Sequence, residues 1–181
     1  MKIIIFILAS IGIIIFSLKS FRVRYSHGFF RFFAFEAIIL LILMNIEVWF
    51  SDPFSLHQIV SWILLMVSLA FVVTGVLFLR KIGKPSASVN QPGNVGFENT
   101  NTLVTVGVYK YIRHPMYASL LFLGWGVYFK DITILGLVIA IIMTAFLYAT
   151  ARVEEGENIR RFGDEYKAYM TRSKMFIPFV L

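Results

Sequence analysis

The segment Gly107-Val-Tyr-Lys-Tyr-Ile-Arg-His-Pro-Met-Tyr117 is charged and aromatic, and it lies between two long apolar runs. Pro115 predicts that a helix begins there, because the N–H that proline lacks has no intrahelical partner in a first turn. The free N–H groups at such a helix start favour an anionic group. The segment therefore predicts a polar corner, residues 113–115, where an apolar helix begins.

The side chains around this corner suit a charged ligand. Arg113 can donate two N–H groups to a carboxylate or phosphate, and His114 adds a titratable donor or acceptor. The rings of Tyr109, Tyr111 and Tyr117 can stack on a flat ligand or face a cation. A basic membrane anchor with tyrosines at headgroup depth explains the same composition equally well. Both interpretations stay open on composition alone.

The composition points to a membrane protein. The chain has 181 residues, enough for one domain, and 59% of them are hydrophobic, more than an ordinary soluble domain contains. The net charge of +7 is therefore interpreted as basic loops beside apolar helices, and we expect no nucleic-acid partner. The absence of cysteine excludes disulfides and zinc–thiolate sites, and the three histidines lack metal-ligand spacing, so we expect no metal.

Apolar runs predict about five transmembrane helices in a single domain. Their approximate bounds are 3–18, 32–50, 59–79, 116–129 and 132–151. The first is somewhat short for a span, but a retained helix is favoured over a signal peptide because no good cleavage site follows it. The fourth extends only about 21 Å at about 1.5 Å per residue, less than a hydrocarbon core of about 30 Å. Lys130 and Asp131 form a tight turn, so the last two helices are predicted to form a hairpin, followed by a charged tail over 152–181.

The basic residues predict an orientation. Five spans place residues 19–31, 80–115 and the tail on one side of the membrane, and of the 17 lysines and arginines only Lys2 and Lys130 fall on the other. This excess predicts an N-terminus outside and a cytoplasmic C-terminus. Both candidate site segments then lie in the cytoplasm. The sequence assigns no role to the polar loop 85–102.

A pair of acids begins where the fifth apolar run ends. Glu154 and Glu155 are adjacent, and Arg152 shares a helix face with Glu155. The acids can be solvated, can pair with Arg160 and Arg161, or can balance the positive charge of a ligand. Helical spacing does not distinguish these interpretations.

Two blocks of sequence resemble the isoprenylcysteine carboxyl methyltransferase family, which includes relatives of the phospholipid methyltransferases. The first block is residues 103–117, and the second comprises Arg152-Val-Glu-Glu155, Phe162-Gly-Asp-Glu-Tyr166, Tyr169 and Ile177-Pro178. They occur in the family's order, separated by one helical hairpin. The resemblance implies an all-α integral membrane methyltransferase that uses S-adenosylmethionine, with a cytoplasmic cofactor site near the C-terminus.

The resemblance also implies the site residues. In that family the histidine of the Arg-His-Pro corner and the paired glutamates belong to the cofactor site, which gives His114, Glu154 and Glu155. The full set expected to bind the cofactor is Tyr109, Arg113, His114, Pro115, Tyr117, Glu154 and Glu155. Arg152 and Glu155 are predicted to be catalytic. Arg152 is expected to orient a carboxylate acceptor, and either Glu155 or His114 can act as the base that an amine or thiol needs.

The predicted reaction is methyl transfer to a lipophilic or lipidated acceptor in the membrane, such as the C-terminal carboxylate of a prenylated cysteine. A phospholipid amine or a small thiol is the alternative acceptor, in which case a base is needed. A prediction from another class is a non-enzymatic scaffold or small transporter whose basic loops bind anionic membrane lipids. The residues alone name neither the acceptor nor the oligomeric state.

Overall fold

A computed structural model of the chain describes residues 1–22, 25–84 and 98–179. Its six α-helices are α1 (Lys2–Phe21), α2 (His27–Asn45), α3 (Leu56–Ile82), α4 (Pro115–Tyr128), α5 (Ile134–Phe162) and α6 (Asp164–Arg172). Short 3-10 turns cover Ile46–Val48 and Gly107–Lys110. No strand occurs in these described ranges, so the all-α prediction is confirmed. Most of the loop 85–102 lies outside the described residues.

Four helices of the described chain, α1, α2 with its following turn, α3 and α5, are long and apolar enough to cross a membrane. This confirms a multi-pass membrane protein. Two helices extend beyond the apolar spans predicted from the sequence: α2 begins at His27, before residue 32, and α5 continues to Phe162, past residue 151. Hydropathy marks only the apolar part of a helix, and both helices extend through polar residues that find partners inside the protein. Glu154 and Glu155 therefore lie on α5 and not in a separate tail.

Polar contacts fix both ends of the helix bundle. At one end His27, the first residue of α2, lies with its Nδ1 2.5 Å from a carboxylate oxygen of Glu157 on α5. At the opposite end the Asn45 amide donates to the Val127 carbonyl at 3.1 Å. The corner, residues 113–115, also lies beside the late turns of α5. We therefore call the end of the bundle that holds His27 and Glu157 the corner end.

Helices α3 and α4 pack through small and hydroxyl residues. The Ser61 hydroxyl donates to the Gly126 carbonyl at 2.6 Å, and the Ser68 hydroxyl donates to the Ser119 carbonyl at 2.7 Å. The buried residues of α3 are Gln58, Ser61, Ser68 and Gly75. In lipid, burial of apolar side chains gains little, so close backbone approach and hydrogen bonds hold such helices together. Some large apolar side chains of α3, such as Ile63 and Met66, face outward, whereas Leu65 and Phe71 pack against the core.

The apolar core lies between α2, α4 and α5, directly beneath the corner. Its fully buried members include Ala34, Leu41, Ala118, Met143 and Leu147. Gly124 of α4 approaches α5 so closely that a Cβ atom there would lie 2.0 Å from the Met143 sulfur. Helix α4 is embedded in the bundle. Its 14 residues extend only about 21 Å, so it is not among the four long spans.

The segment after α6 folds back along the corner. The Arg113 N–H donates to the Lys174 carbonyl at 2.8 Å, and the Lys174 N–H donates to the Tyr111 carbonyl at 2.9 Å. The Phe176 side chain, 1% exposed, is buried in the protein core. The paired backbone directs Phe176 inward. The final residues, 180 and 181, lie outside the described chain.

The cysteine-free chain permits a direct test of orientation. Single cysteines replace Ser51, in the turn before α3, or Glu165, in α6, both exposed. If the basic loops are cytoplasmic, Ser51→Cys reacts with an impermeant thiol reagent in intact cells, and Glu165→Cys reacts only after the membrane is opened. Labelling in the reverse order would contradict the predicted orientation. Two other serines in the basic segments are not chosen for cysteine replacement, because Ser173 is buried and Ser88 lies outside the described residues.

Candidate active site

A pocket opens at the corner end, between the corner, the late turns of α5 and the segment that leads into the corner. Its cavity volume is about 80 Å³, smaller than that of a typical small-molecule site, and the space rises to about 690 Å³ when the open mouth is counted. Its polar lining includes Tyr109, Arg113, His114, Tyr117, Glu154, Asn158, Arg161 and Tyr166. The two blocks recognised in the sequence therefore meet around one cavity.

Six of the eight predicted site residues line this pocket, namely Tyr109, Arg113, His114, Pro115, Tyr117 and Glu154. Glu155 and Arg152 do not. The Glu155 side chain is 2% exposed and lies behind the corner, whereas the Arg152 side chain is 59% exposed. Adjacent residues on a helix point about 100° apart, which explains why Glu154 faces the cavity and Glu155 the protein.

Glu155 forms a buried ion pair with the corner. Its Oε1 accepts from Arg113 Nε at 2.7 Å, and Arg152 Nη1 lies 3.6 Å from its Oε2. The Arg113 guanidinium also donates to the backbone carbonyls of Met170, at 3.3 Å, and Ser173. Three parts of the chain are thus joined at Arg113, and its donors are directed at protein groups.

His114 lies between the two carboxylates. Its Nδ1 is 3.8 Å from Glu154 Oε2, and its Nε2 is 3.6 Å from Glu155 Oε1, both beyond hydrogen-bond length. The imidazole stacks on the Tyr117 ring with centroids 5.4 Å apart. Glu154 is held in place by these neighbours while 26% of its side chain stays exposed toward the cavity.

Three tyrosines around the pocket are neutral hydrogen-bonding groups. Burial raises the pKa of Tyr109, Tyr166 and Tyr169 above the ordinary value. The Tyr169 hydroxyl donates to the Tyr109 carbonyl at 2.6 Å, and Tyr166 hydrogen-bonds Asn158. Because these phenols stay protonated at physiological pH, they position the lining and do not act as bases.

Sequence reasoning missed the contribution of α2, since it assigned His27 to a loop. His27 is fully buried against Glu157, and Arg31 Nη1 lies 3.2 Å from a carboxylate oxygen of Glu98, which lines the pocket. The signal was Ser26, whose hydroxyl accepts from the Phe29 N–H at 3.3 Å and caps α2. A helix that starts there places His27 and Arg31 one turn apart on one face.

The buried pair predicts different effects for the two glutamates. Glu155→Gln should lower the thermal unfolding temperature in detergent strongly, because breaking a buried ion pair costs about 3–5 kcal/mol. Glu154→Gln is the matched control, since its side chain is partly exposed in the pocket, and it should unfold close to the unaltered protein. Equal unfolding temperatures for the two variants would show that the Arg113–Glu155 pair does not stabilise the fold.

Comparison with known proteins identifies related sequences. Methanethiol S-methyltransferase 1 of Bradyrhizobium diazoefficiens is 34% identical over 71 residues, which cover 39% of this chain and 24% of that protein. Protein-S-isoprenylcysteine O-methyltransferase of Rattus norvegicus is 34% identical over 105 residues, 56% of this chain and 37% of that protein. The similarity thus spans well under half the length of these relatives.

No solved structure matches the chain at a significant level. The profile of the family described as phospholipid methyltransferase matches residues 56–165, which extend from the start of α3 into α6. This match covers more than half of the chain and includes the corner and both glutamates. The chain belongs to the phospholipid methyltransferase family.

Proposed function

We propose that this protein is a membrane methyltransferase that binds S-adenosylmethionine in the corner-end pocket and methylates a lipophilic acceptor. The observation that carries the proposal is that Glu154 and the corner residues, far apart in sequence, line one pocket at the end of a membrane-helix bundle. Family membership and the printed names of the relatives support methyl transfer. A non-enzymatic scaffold would not require such a pocket.

The pocket fits the charges of this methyl donor. S-adenosylmethionine has an ammonium, a sulfonium and a carboxylate, and the lining offers the Glu154 carboxylate, aromatic rings and an arginine. When bound, it supplies a methyl group activated for displacement. The chain's own part is to hold the cationic groups at Glu154, to orient Glu154 through His114 and Tyr117, and to exclude water with Leu79 and Leu103.

The short α4 supports an acceptor that arrives from the lipid. Its length of about 21 Å places the corner below the membrane surface if its other end reaches the opposite interface. We therefore propose that α4 is a fifth segment embedded in the membrane and that the pocket faces the cytoplasm. A prenylated cysteine carboxylate is our leading acceptor, and a small thiol is the second candidate because one relative is named for methanethiol.

The acceptor decides which side chains act in the reaction. A carboxylate needs no base, and Arg152 stays our candidate for orienting it from outside the pocket lining. A thiol or amine needs a base. Of the two predicted bases, we favour His114, because it lines the pocket while Glu155 lies behind it in a salt bridge with Arg113.

Cofactor binding tests the proposal. S-adenosylhomocysteine should raise the unfolding temperature of the purified protein in detergent, because a ligand of the native state stabilises it. Glu154→Gln should weaken binding about ten-fold or more in calorimetry, since a charge-assisted hydrogen bond contributes about 1.5–3 kcal/mol. Asp164→Asn, whose side chain is 94% exposed, is the control and should bind normally. No stabilisation at millimolar ligand would favour the scaffold interpretation.

A second measurement identifies the acceptor. Radiolabelled S-adenosylmethionine is supplied with a prenylated cysteine peptide, with methanethiol or with phospholipid vesicles. We expect label in the peptide as a base-labile methyl ester, and Arg152→Ala should lower this rate without changing the affinity for S-adenosylhomocysteine. Label in a volatile thioether or a lipid headgroup, with none in the peptide, would contradict the carboxylate acceptor but not methyl transfer.

A further inference from the structure

The α5 face that lines the pocket carries a second charged residue beyond Glu154. Arg161 follows Glu154 by about two helical turns, so the two share one face and lie about 10 Å apart along the helix axis. Asn158 lies between them, and all three line the pocket. The cavity wall formed by α5 is therefore acidic toward the corner and basic toward the helix C-terminus.

The predicted anion-binding residue of the corner is already committed to protein partners. Arg113 donates from Nε to Glu155 and from Nη1 to the carbonyls of Met170 and Ser173. These bonds engage Nε and Nη1 with protein groups although Arg113 lines the pocket, and Arg113 has no buried side-chain donor left without a partner among the described residues. A residue that has such a donor is therefore the better candidate to bind a carboxylate.

Arg161 has the donor that Arg113 lacks. Its Nη2 nitrogen is buried and has no hydrogen-bond partner among the described residues, and Arg161 forms no ion pair there. The guanidinium carbon lies 4.7 Å from the centroid of the Phe162 ring, which restricts its position. A buried donor without an acceptor is costly, so such a group indicates a partner that a ligand supplies.

We infer that Arg161 binds the carboxylate of the methyl donor, whose cationic groups then face Glu154 near the corner. This inference rests on the proposed function and adds an orientation to it. A planar guanidinium suits a carboxylate because it can donate two parallel hydrogen bonds.

Two probes separate the carboxylate from the rest of the ligand: S-adenosylhomocysteine and its decarboxylated analogue. Calorimetry of the unaltered protein should show S-adenosylhomocysteine binding at least ten-fold more tightly than the analogue. Arg161→Gln should lose that preference by weakening only the carboxylate-bearing ligand, while Arg161→Lys should keep part of it. Arg160→Gln, an exposed neighbour on another face, is the control and should preserve both affinities.

The possible outcomes distinguish this inference from the proposed function. If Arg161→Gln keeps the full preference, or weakens both probes equally, Arg161 does not bind the carboxylate, although binding by the unaltered protein would still support a methyl donor. If the unaltered protein binds neither probe, both proposals fail. Should Arg161→Gln unfold in detergent, Arg161→Lys decides the matter, because a reduced preference in that folded variant supports bidentate binding and an undiminished preference opposes it.

Discussion

The buried pair of Arg113 and Glu155 is the interaction on which the site depends. Burying two charges costs several kcal/mol per ion unless their remaining hydrogen-bonding groups are satisfied. Here the arginine also donates to the carbonyls of Met170 and Ser173, so one side chain joins the start of α4, the middle of α5 and the segment after α6. Because Glu155 is fixed against the corner, the neighbouring Glu154 is directed into the pocket. The pair joins the two sequence blocks together with the hydrogen bond from the Tyr169 hydroxyl to the Tyr109 carbonyl.

The lipid environment explains why small and hydroxyl residues contribute to the packing of α3. This helix turns Ser61, Ser68 and Gly75 inward beside Leu65 and Phe71, while Ile63 and Met66 stay exposed. Directional hydrogen bonds to α4 then set the position of the corner. At the far end of α4, the buried Lys130 donates to Gln58 at 3.0 Å and lies 3.5 Å from the Trp62 ring centroid, so that end is fixed as well. A short helix held at both ends gives a rigid wall to the site.

Charged residues that look equivalent in the sequence have different roles in the structure. Arg113 and Glu155 neutralise each other and build the wall, whereas Glu154 and Arg161 stay directed at the cavity from one face of α5. Opposite charges about two turns apart suit a ligand that carries both signs, and they fix its direction as well as its affinity. His114 couples the two sets, since it lies within 4 Å of both carboxylates.

The sequence by itself determined the class of the molecule. Long apolar runs predict a membrane helix bundle. The Arg-His-Pro corner and the Glu154–Glu155 pair mark the two segments that meet at the pocket. Only the tertiary structure decided the helix ends and the role of each charge. Helix α2 starts after the Ser26 cap, but the partner of the buried His27, Glu157, is distant in sequence. Likewise, the rotation of α5 about its axis decides which glutamate faces the cavity, and that rotation is set by Arg113. Such contacts depend on distances across the bundle, which no spacing along the chain encodes.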